Sequence, residues 1–138
     1  MIILVDTNVF VGALLGPTGP SREIIRKCLL GSYEPLMGVT LFNEYEDVLN
    51  RRTIIERCAL DENEREELLD AFLSVCHWTH VYYAWRPNLR DEGDNHLIEL
   101  AVAGNAEAII TWNVKDFDQQ QLSFPHIGVY TPEQLLET

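Results

Sequence analysis

Short apolar runs alternate along the chain with segments whose apolar residues recur at helical spacing, and this alternation strongly constrains the fold. Residues 2–5 form a continuous apolar run rich in β-branched side chains, as expected of a strand that is covered on both faces of a parallel sheet. Further stretches at 34–38, 81–85, 108–111 and 127–130 predict four more strands. Because strands that alternate with helices build parallel sheets, we predict an α/β fold with a mostly parallel sheet and helices on both faces.

The segments between these strands carry helix-end signals. Ser21 and Thr40 are each placed to cap a helix, and Asp61 with Glu64 predicts a capping box at the start of a third helix. Gly104 is placed to end the helix that precedes the fourth strand. The predicted helices therefore fill the intervals between the strands.

The composition favours one domain, over residues 1–138, in the cytoplasm. A hydrophobic fraction of 46% is enough for a core at this length. No apolar run approaches the ~18 residues of a membrane span, and the apolar N-terminus lacks the basic flank of a signal peptide. Cys28, Cys58 and Cys76 are odd in number and lie in helical or apolar segments, so we expect reduced cysteines.

The charge of the chain argues against strong binding to nucleic acid. Ten Lys and Arg stand against 22 Asp and Glu, for a net charge of −12, and binding to a phosphate backbone depends on cationic contacts. Several of the carboxylates could instead hold metal, and Arg51, Arg52, Arg86 and Arg90 could form a local basic patch. Total charge alone therefore does not exclude a nuclease.

Two acidic side chains are candidates for a site near the first strand. Asp6 follows that strand directly, and ligands of open parallel sheets bind beyond the carboxyl ends of the strands, although an aspartate here could also be a turn or cap residue. At about 100° per residue, Glu44 borders the apolar stripe of its helix whereas Glu46 and Asp47 face solvent. A carboxylate near buried surface needs a partner, which could be a metal, an arginine or the helix dipole.

A third carboxylate lies at the start of a later helix. Asp94 projects onto the side of Leu97 and Ala101, in the middle of the apolar face, whereas Glu92, Asn95 and Glu99 are expected to point away. A helix-capping role would also favour an aspartate at position 94. We prefer the functional interpretation because of the position on the apolar face.

The loop after the fourth strand should emerge beside Asp6, and it offers Asn113 and Asp116 as further ligands or water holders. Clustered carboxylates repel one another unless a cation lies among them. Oxygen ligands suit Mg²⁺ or Mn²⁺, and a hard divalent ion can lower the pKa of a bound water and neutralise charge on a phosphodiester. The set therefore indicates hydrolytic nuclease chemistry.

Four motifs, in this order, together resemble the PIN-domain family along nearly the whole chain. They are Val5-Asp6-Thr7-Asn8-Val9, Glu44-Tyr45-x-x-Val48-Leu49, Asp94-x-x-Leu97-x-x-x-Ala101 and Thr111-Trp112-Asn113-x-x-Asp116-Phe117. A C-terminal segment that many short members carry follows them, Val129-Tyr130-Thr131-Pro132-Glu133-x-Leu135-Leu136. No single motif is specific, but the ordered set is.

Within that family, the chain resembles the stand-alone PIN proteins proposed as toxins of toxin–antitoxin pairs, the VapC-like ribonucleases. That resemblance implies a three-layer α/β/α fold, Mg²⁺-dependent endoribonuclease activity on RNA, a homodimer and inhibition by an antitoxin protein. It assigns the first three acids to Asp6, Glu44 and Asp94.

The fourth acidic position departs from the family pattern. Many members have an aspartate where this chain has Asn113, although others combine this asparagine with an aspartate three residues on, as Asp116 is here. Thr7, Asn8 and Thr111 are expected to support the site by hydrogen bonds to its ligands, and Asn113 is also expected at the site. A neutral amide would weaken the hold on a second metal ion.

Other interpretations account for fewer of these features. A haloacid-dehalogenase-type phosphatase needs an aspartate where Asn8 stands, and a phosphoacceptor receiver domain needs an acidic pair near the first strand. A PIN-fold binding protein without catalysis remains the main alternative. His96 and His126 are expected to face solvent, and Trp112 could touch a base.

Overall fold

The computed structural model describes residues 1–81, 95–118 and 124–138. Strands and helices alternate along these residues, which confirms the predicted α/β class. In chain order they are β1 (Ile2–Val5), α1 (Thr7–Leu15), α2 (Pro20–Leu29), β2 (Glu34–Met37), α3 (Val39–Leu49), α4 (Arg52–Arg57), α5 (Glu62–Val75), β3 (His77–Trp78), α6 (Asn95–Ala103), β4 (Ala108–Ile110), the 3-10 helix η1 (Val114–Phe117), β5 (Gly128–Tyr130) and α7 (Pro132–Leu136).

The described strands form one five-stranded sheet in the order β3-β2-β1-β4-β5, and every pairing is parallel. The chain moves outward from β1 through β2 to β3, and then returns to the other side of β1 as β4 and β5. Since crossovers between parallel strands are right-handed, the helices before this reversal and α6 after it cover opposite faces of the sheet. The result is the predicted α/β/α arrangement, with a topological switch point between β1 and β4.

Every residue of β1 and β4 except Ile2 is buried, as their continuous apolar sequences predict. An aromatic cluster packs beside β1, where the Phe10 ring lies 5.4 Å from Tyr45 and 5.3 Å from Phe72 between centroids. The Tyr45 hydroxyl donates a 2.7 Å hydrogen bond to the carbonyl of Val5, and burial holds the pKa of Tyr45 well above its ordinary value. This contact fixes α3 against the carboxyl end of β1, which positions the neighbouring Glu44.

Two of the predicted helix caps are wrong. Helix α2 begins at Pro20 behind Gly19, whose φ of +117° suits glycine, and Ser21 is buried inside the helix instead of capping it. Helix α3 begins at Val39 behind Gly38, so Thr40 lies within its first turn.

The other two helix-end predictions are confirmed. The side chain of Asp61 accepts from the Glu64 amide and the side chain of Glu64 accepts from the Asp61 amide, so the capping box of α5 is complete. Gly104 directly follows the end of α6.

The third strand differs from the prediction. The sheet is extended beside β2 by His77–Trp78, which precede the predicted strand at 81–85, and residues 82–85 lie outside the described residues. Within the described ranges, no helix combines the length and apolar character needed to cross a bilayer.

The three cysteines are free, as predicted. Burial raises the pKa of the Cys28 and Cys76 thiols to about 12, which disfavours the reactive thiolate; Cys28 is buried and Cys76 is half-buried.

Candidate active site

Asp6 stands at the carboxyl end of β1, beside β4. Its amide donates to the carbonyl of Ile110, 2.9 Å away, so the pairing of the two central strands continues to this residue. Its side chain is 7% exposed and caps α1, with Oδ1 accepting from the Thr7 amide at 2.7 Å. The second carboxylate oxygen, Oδ2, accepts from the Thr111 hydroxyl at 2.9 Å. Asp6 is therefore both a helix cap and a buried carboxylate at the switch point.

Thr111 and Asn8 tie the loop after β4 to the start of α1. The Thr111 hydroxyl accepts from Asn8 Nδ2 at 3.3 Å and from the Asn113 amide at 3.0 Å, while it donates to Asp6. Asn8 Oδ1 accepts from the Trp112 amide at 3.1 Å. These contacts hold the Asp6 carboxylate in one orientation, because the groups around it are themselves hydrogen-bonded.

Glu44 approaches the same edge of the sheet from α3. Its Oε1 accepts from the Thr7 hydroxyl at 2.8 Å. Thr7 therefore bridges two carboxylates, since its amide donates to Asp6 and its hydroxyl donates to Glu44. Glu46 and Asp47 are exposed on the same helix, which confirms the predicted phase.

The partner of Glu44 is His96, and the expectation that this histidine faces solvent is wrong. His96 Nε2 lies 2.8 Å from Glu44 Oε2, and the imidazole side chain is only 12% exposed. The hydrogen bond to His96 lowers the pKa of Glu44, burial opposes that effect, and the Thr7 hydroxyl adds to it. Glu44 is therefore held as a carboxylate with both of its oxygens engaged.

Glu99 is also buried, at 1% exposed, where an outward direction was predicted. The reason is the position of α6, which packs against β1, β2 and β4 and also against α3. Residues 97–101 are all buried, so this helix has no broad solvent face in that stretch. The signal in the sequence was the apolar run that follows His96 and is interrupted only by Glu99 up to Ala103.

The loop after β4 carries both Asn113 and Asp116, and both residues are exposed. The Asn113 amide contacts the Thr111 hydroxyl, which in turn contacts Asp6. Asp116 is exposed on η1, and its amide donates to the carbonyl of Asn113.

Among the described residues, the type of ligand suits a divalent metal ion, but the ligands are too few to form a complete site. Asp6 and Glu44 present carboxylate oxygens, the donors that Mg²⁺ and Mn²⁺ prefer. Within residues 1–81, 95–118 and 124–138, no group of three or more Asp, Glu, His or Cys side chains is arranged to hold a metal ion. Asp94, the third predicted ligand, lies outside the described residues.

The predicted basic patch is not supported at its two described members. Arg51 pairs with Asp47 at 3.2 Å and Arg52 with Glu56 at 3.4 Å, so an acidic neighbour offsets the charge of each. Arg86 and Arg90 lie outside the described residues.

A family model described as a PIN domain matches residues 2–115, which is more than half of the chain. The matched segment contains every predicted site residue except Asp116, which follows its last residue. A comparison with curated proteins found no match. The match, the all-parallel sheet and the order of the motifs agree, and the chain belongs to the PIN-domain family.

Proposed function

We propose that this chain is a Mg²⁺-dependent endoribonuclease that hydrolyses phosphodiester bonds of RNA. PIN domains are generally nucleases, so the family supports hydrolytic chemistry on nucleic acid. The single observation that carries the proposal is the bridge through Thr7, which joins Asp6 of β1 to Glu44 of α3 at the switch point of the sheet. Ligands of open α/β sheets bind at such points.

The proposed metal ligands are Asp6, Glu44 and Asp94, with Mg²⁺ as the ion and Mn²⁺ as a substitute. The assignment of Asp94 rests on the family motif and on its closeness in sequence to His96, whose ring contacts Glu44. When bound, the ion would lower the pKa of a water ligand and offset negative charge on the phosphodiester.

The remaining groups of the site orient these ligands. The Thr7 hydroxyl and the His96 ring hold the two oxygens of Glu44, and the Thr111 hydroxyl holds Asp6. Hydrogen-bonded ligands keep their geometry when substrate enters, which is why outer partners influence metal affinity. Asn113 and Asp116 are the two candidates for the fourth position; both are exposed, and the contact of Asn113 with Thr111 is made by its backbone amide.

The proposed biological role is that of the toxin in a toxin–antitoxin pair, acting in the cytoplasm as a homodimer. It rests on the resemblance to VapC-like toxins. The net charge of −12 supports a cationic partner, because an arginine fork can pair with site carboxylates in place of a metal. Co-purification with the product of the adjacent gene tests this role, and an adjacent product that neither binds nor inhibits would contradict it.

A PIN-fold binding protein without catalysis is the second candidate. Two features favour it. The excess of acidic residues weakens RNA binding, and the neutral side-chain amide of Asn113 weakens metal binding. A purified protein that binds metal and leaves RNA intact would select this candidate.

The test compares two substitutions on one helix. Glu44→Gln removes a proposed ligand, whereas Glu46→Gln removes the same charge from an exposed position of α3. Both proteins and the unsubstituted chain are incubated with a pool of structured RNAs in Mg²⁺, and the new RNA ends are sequenced. We expect cleavage by the unsubstituted chain and by Glu46→Gln, and its loss in Glu44→Gln. Equal cleavage by the two variants would contradict the assignment.

A further inference from the structure

Trp112 presents a large aromatic side chain beside the candidate active site. It directly follows Thr111, whose hydroxyl contacts Asp6, and it is 38% exposed. Burial of a large aromatic ring is energetically favourable. A ring that is exposed beside a site and is also held in place therefore indicates a binding surface.

Two helices hold Trp112. Its indole Nε1 donates to Ser21 Oγ of α2 at 2.9 Å, and its amide donates to Asn8 Oδ1 of α1 at 3.1 Å. Ser21 is 6% exposed and sits against Gly12 of α1, where an added Cβ would lie 2.6 Å from Ser21 Oγ. Glycine at position 12 therefore leaves room for the hydroxyl that fixes the ring.

The hydrogen bond to Ser21 determines which part of the Trp112 side chain is available to a ligand. Because the only N–H of its side chain is already used inside the protein, Trp112 presents apolar ring surface to solvent. Ring surface suits the stacking of a nucleobase, which tolerates any base because each has a π-face. A ring that is already held loses little freedom when the base arrives.

We propose that Trp112 is a stacking platform for one nucleobase of the RNA strand, next to the phosphodiester that is cut. This inference rests on the proposed nuclease function and adds a substrate contact to it. It also explains how a strongly acidic chain binds RNA. A chain with a net charge of −12 gains little from phosphate contacts, and stacking provides affinity that does not depend on cations.

Trp78 is the natural control. It is 53% exposed, more than Trp112, but it belongs to β3, two strands away from β1, and its ring packs against Phe42 at 5.6 Å. If exposure alone made a tryptophan bind RNA, the two would behave alike.

The experiment measures KM and kcat for cleavage of a short single-stranded RNA by Trp112→Leu, Trp112→Phe and Trp78→Leu. Trp112→Leu should raise KM about 5- to 150-fold, the range for losing one stacked base, with little change in kcat. Trp112→Phe loses the hydrogen bond to Ser21 but keeps a ring, so it should retain most of the affinity. Trp78→Leu should match the unsubstituted chain.

Substrates with one abasic nucleotide, moved through each position in turn, identify the stacked base. At one position the abasic substrate should raise KM for the unsubstituted chain and abolish the difference between it and Trp112→Leu. An unchanged KM in Trp112→Leu, or a loss that persists with every abasic substrate, would overturn the proposal. Melting temperatures of the variants identify any loss that is due to unfolding.

The dissociation constant for the same labelled RNA separates this inference from the nuclease proposal. If the chain binds RNA without cutting it and Trp112→Leu weakens binding, the nuclease proposal fails and stacking is upheld. If the chain cuts RNA and Trp112→Leu binds and cuts normally, stacking fails and the nuclease proposal stands. Absence of any RNA binding overturns the stacking proposal.

Discussion

The substitution Thr7→Val isolates the hydroxyl group that joins the two carboxylates of the candidate site. Valine preserves the shape of the side chain and the backbone amide that contacts Asp6, and it removes only the 2.8 Å hydrogen bond to Glu44. Thr7 is 4% exposed, so the methyl group that replaces the hydroxyl stays in the protein interior.

The expected loss of stability is modest. A hydrogen bond to a charged group contributes about 1.5–3 kcal/mol. Glu44 retains His96 and its side chain is 37% exposed, so water compensates in part and the lower value, about 1.5 kcal/mol, applies. With an unfolding entropy of about 2.1 cal/mol/K per residue, a chain of 138 residues should melt about 5 °C lower.

The effect on cleavage should be larger than the effect on stability. Loss of an outer partner of a metal ligand typically lowers affinity or activity about 10- to 100-fold, and we expect a loss in that range for Thr7→Val. The matched control is Thr7→Ser, which keeps the hydroxyl and loses a buried methyl group worth about 1 kcal/mol. Thermal melting and RNA cleavage in Mg²⁺ are measured for both. Equal cleavage by the serine and valine variants would refute the bridging role of the hydroxyl.

Other features of the fold give further predictions. Asp61→Ala breaks the capping box of α5 and should lower the free energy of unfolding by about 1 kcal/mol in urea titration; an unchanged midpoint would contradict the role of the cap. Gly104→Ala places a Cβ 2.4 Å from Leu36 Cδ1 and should destabilise the chain by about 1–3 kcal/mol, so a neutral result would show that the leucine side chain can move aside. Cys28, whose pKa is raised to about 12, should resist alkylation at about pH 8.5 in the folded protein and react after unfolding, as mass spectrometry can measure; rapid labelling of the native chain would contradict its burial.

The architecture was predictable because the central strands are buried on both faces. Residues 2–5 and 108–110 are unbroken apolar sequences, a pattern that favours parallel strands and not amphipathic ones. Two caps were predicted wrongly because a serine or threonine near a helix start satisfies the local rule whether or not the helix begins behind it. Ser21 accepts from Trp112, 91 positions away in the sequence, and no local pattern contains that information.

The candidate site was predictable only in part, again because local patterns do not contain its long-range contacts. The phase of α3 separates Glu44 from its exposed acidic neighbours, and the end of β1 identifies Asp6. His96 and Glu99 were missed because the prediction assumed one apolar stripe on α6, whereas the helix is buried on several sides. The bridge through Thr7 depends on how α3 packs against β1, which only the folded chain defines.

A double-substitution cycle on RNA cleavage tests the central claim most directly, that Asp6 and Glu44 belong to one catalytic centre. Asp6→Asn keeps a good cap for α1, and Glu44→Gln keeps the size of the side chain, so both proteins should fold. Each single change should lower kcat/KM by about 100-fold or more. This loss equals or exceeds the upper end of the range seen when a residue that hydrogen-bonds to a metal ligand is replaced. Groups that act as one unit lose their function once, so the double variant should be no slower than the slower single variant. Wild-type rates in either single variant, or losses that multiply in the double variant, would contradict the claim.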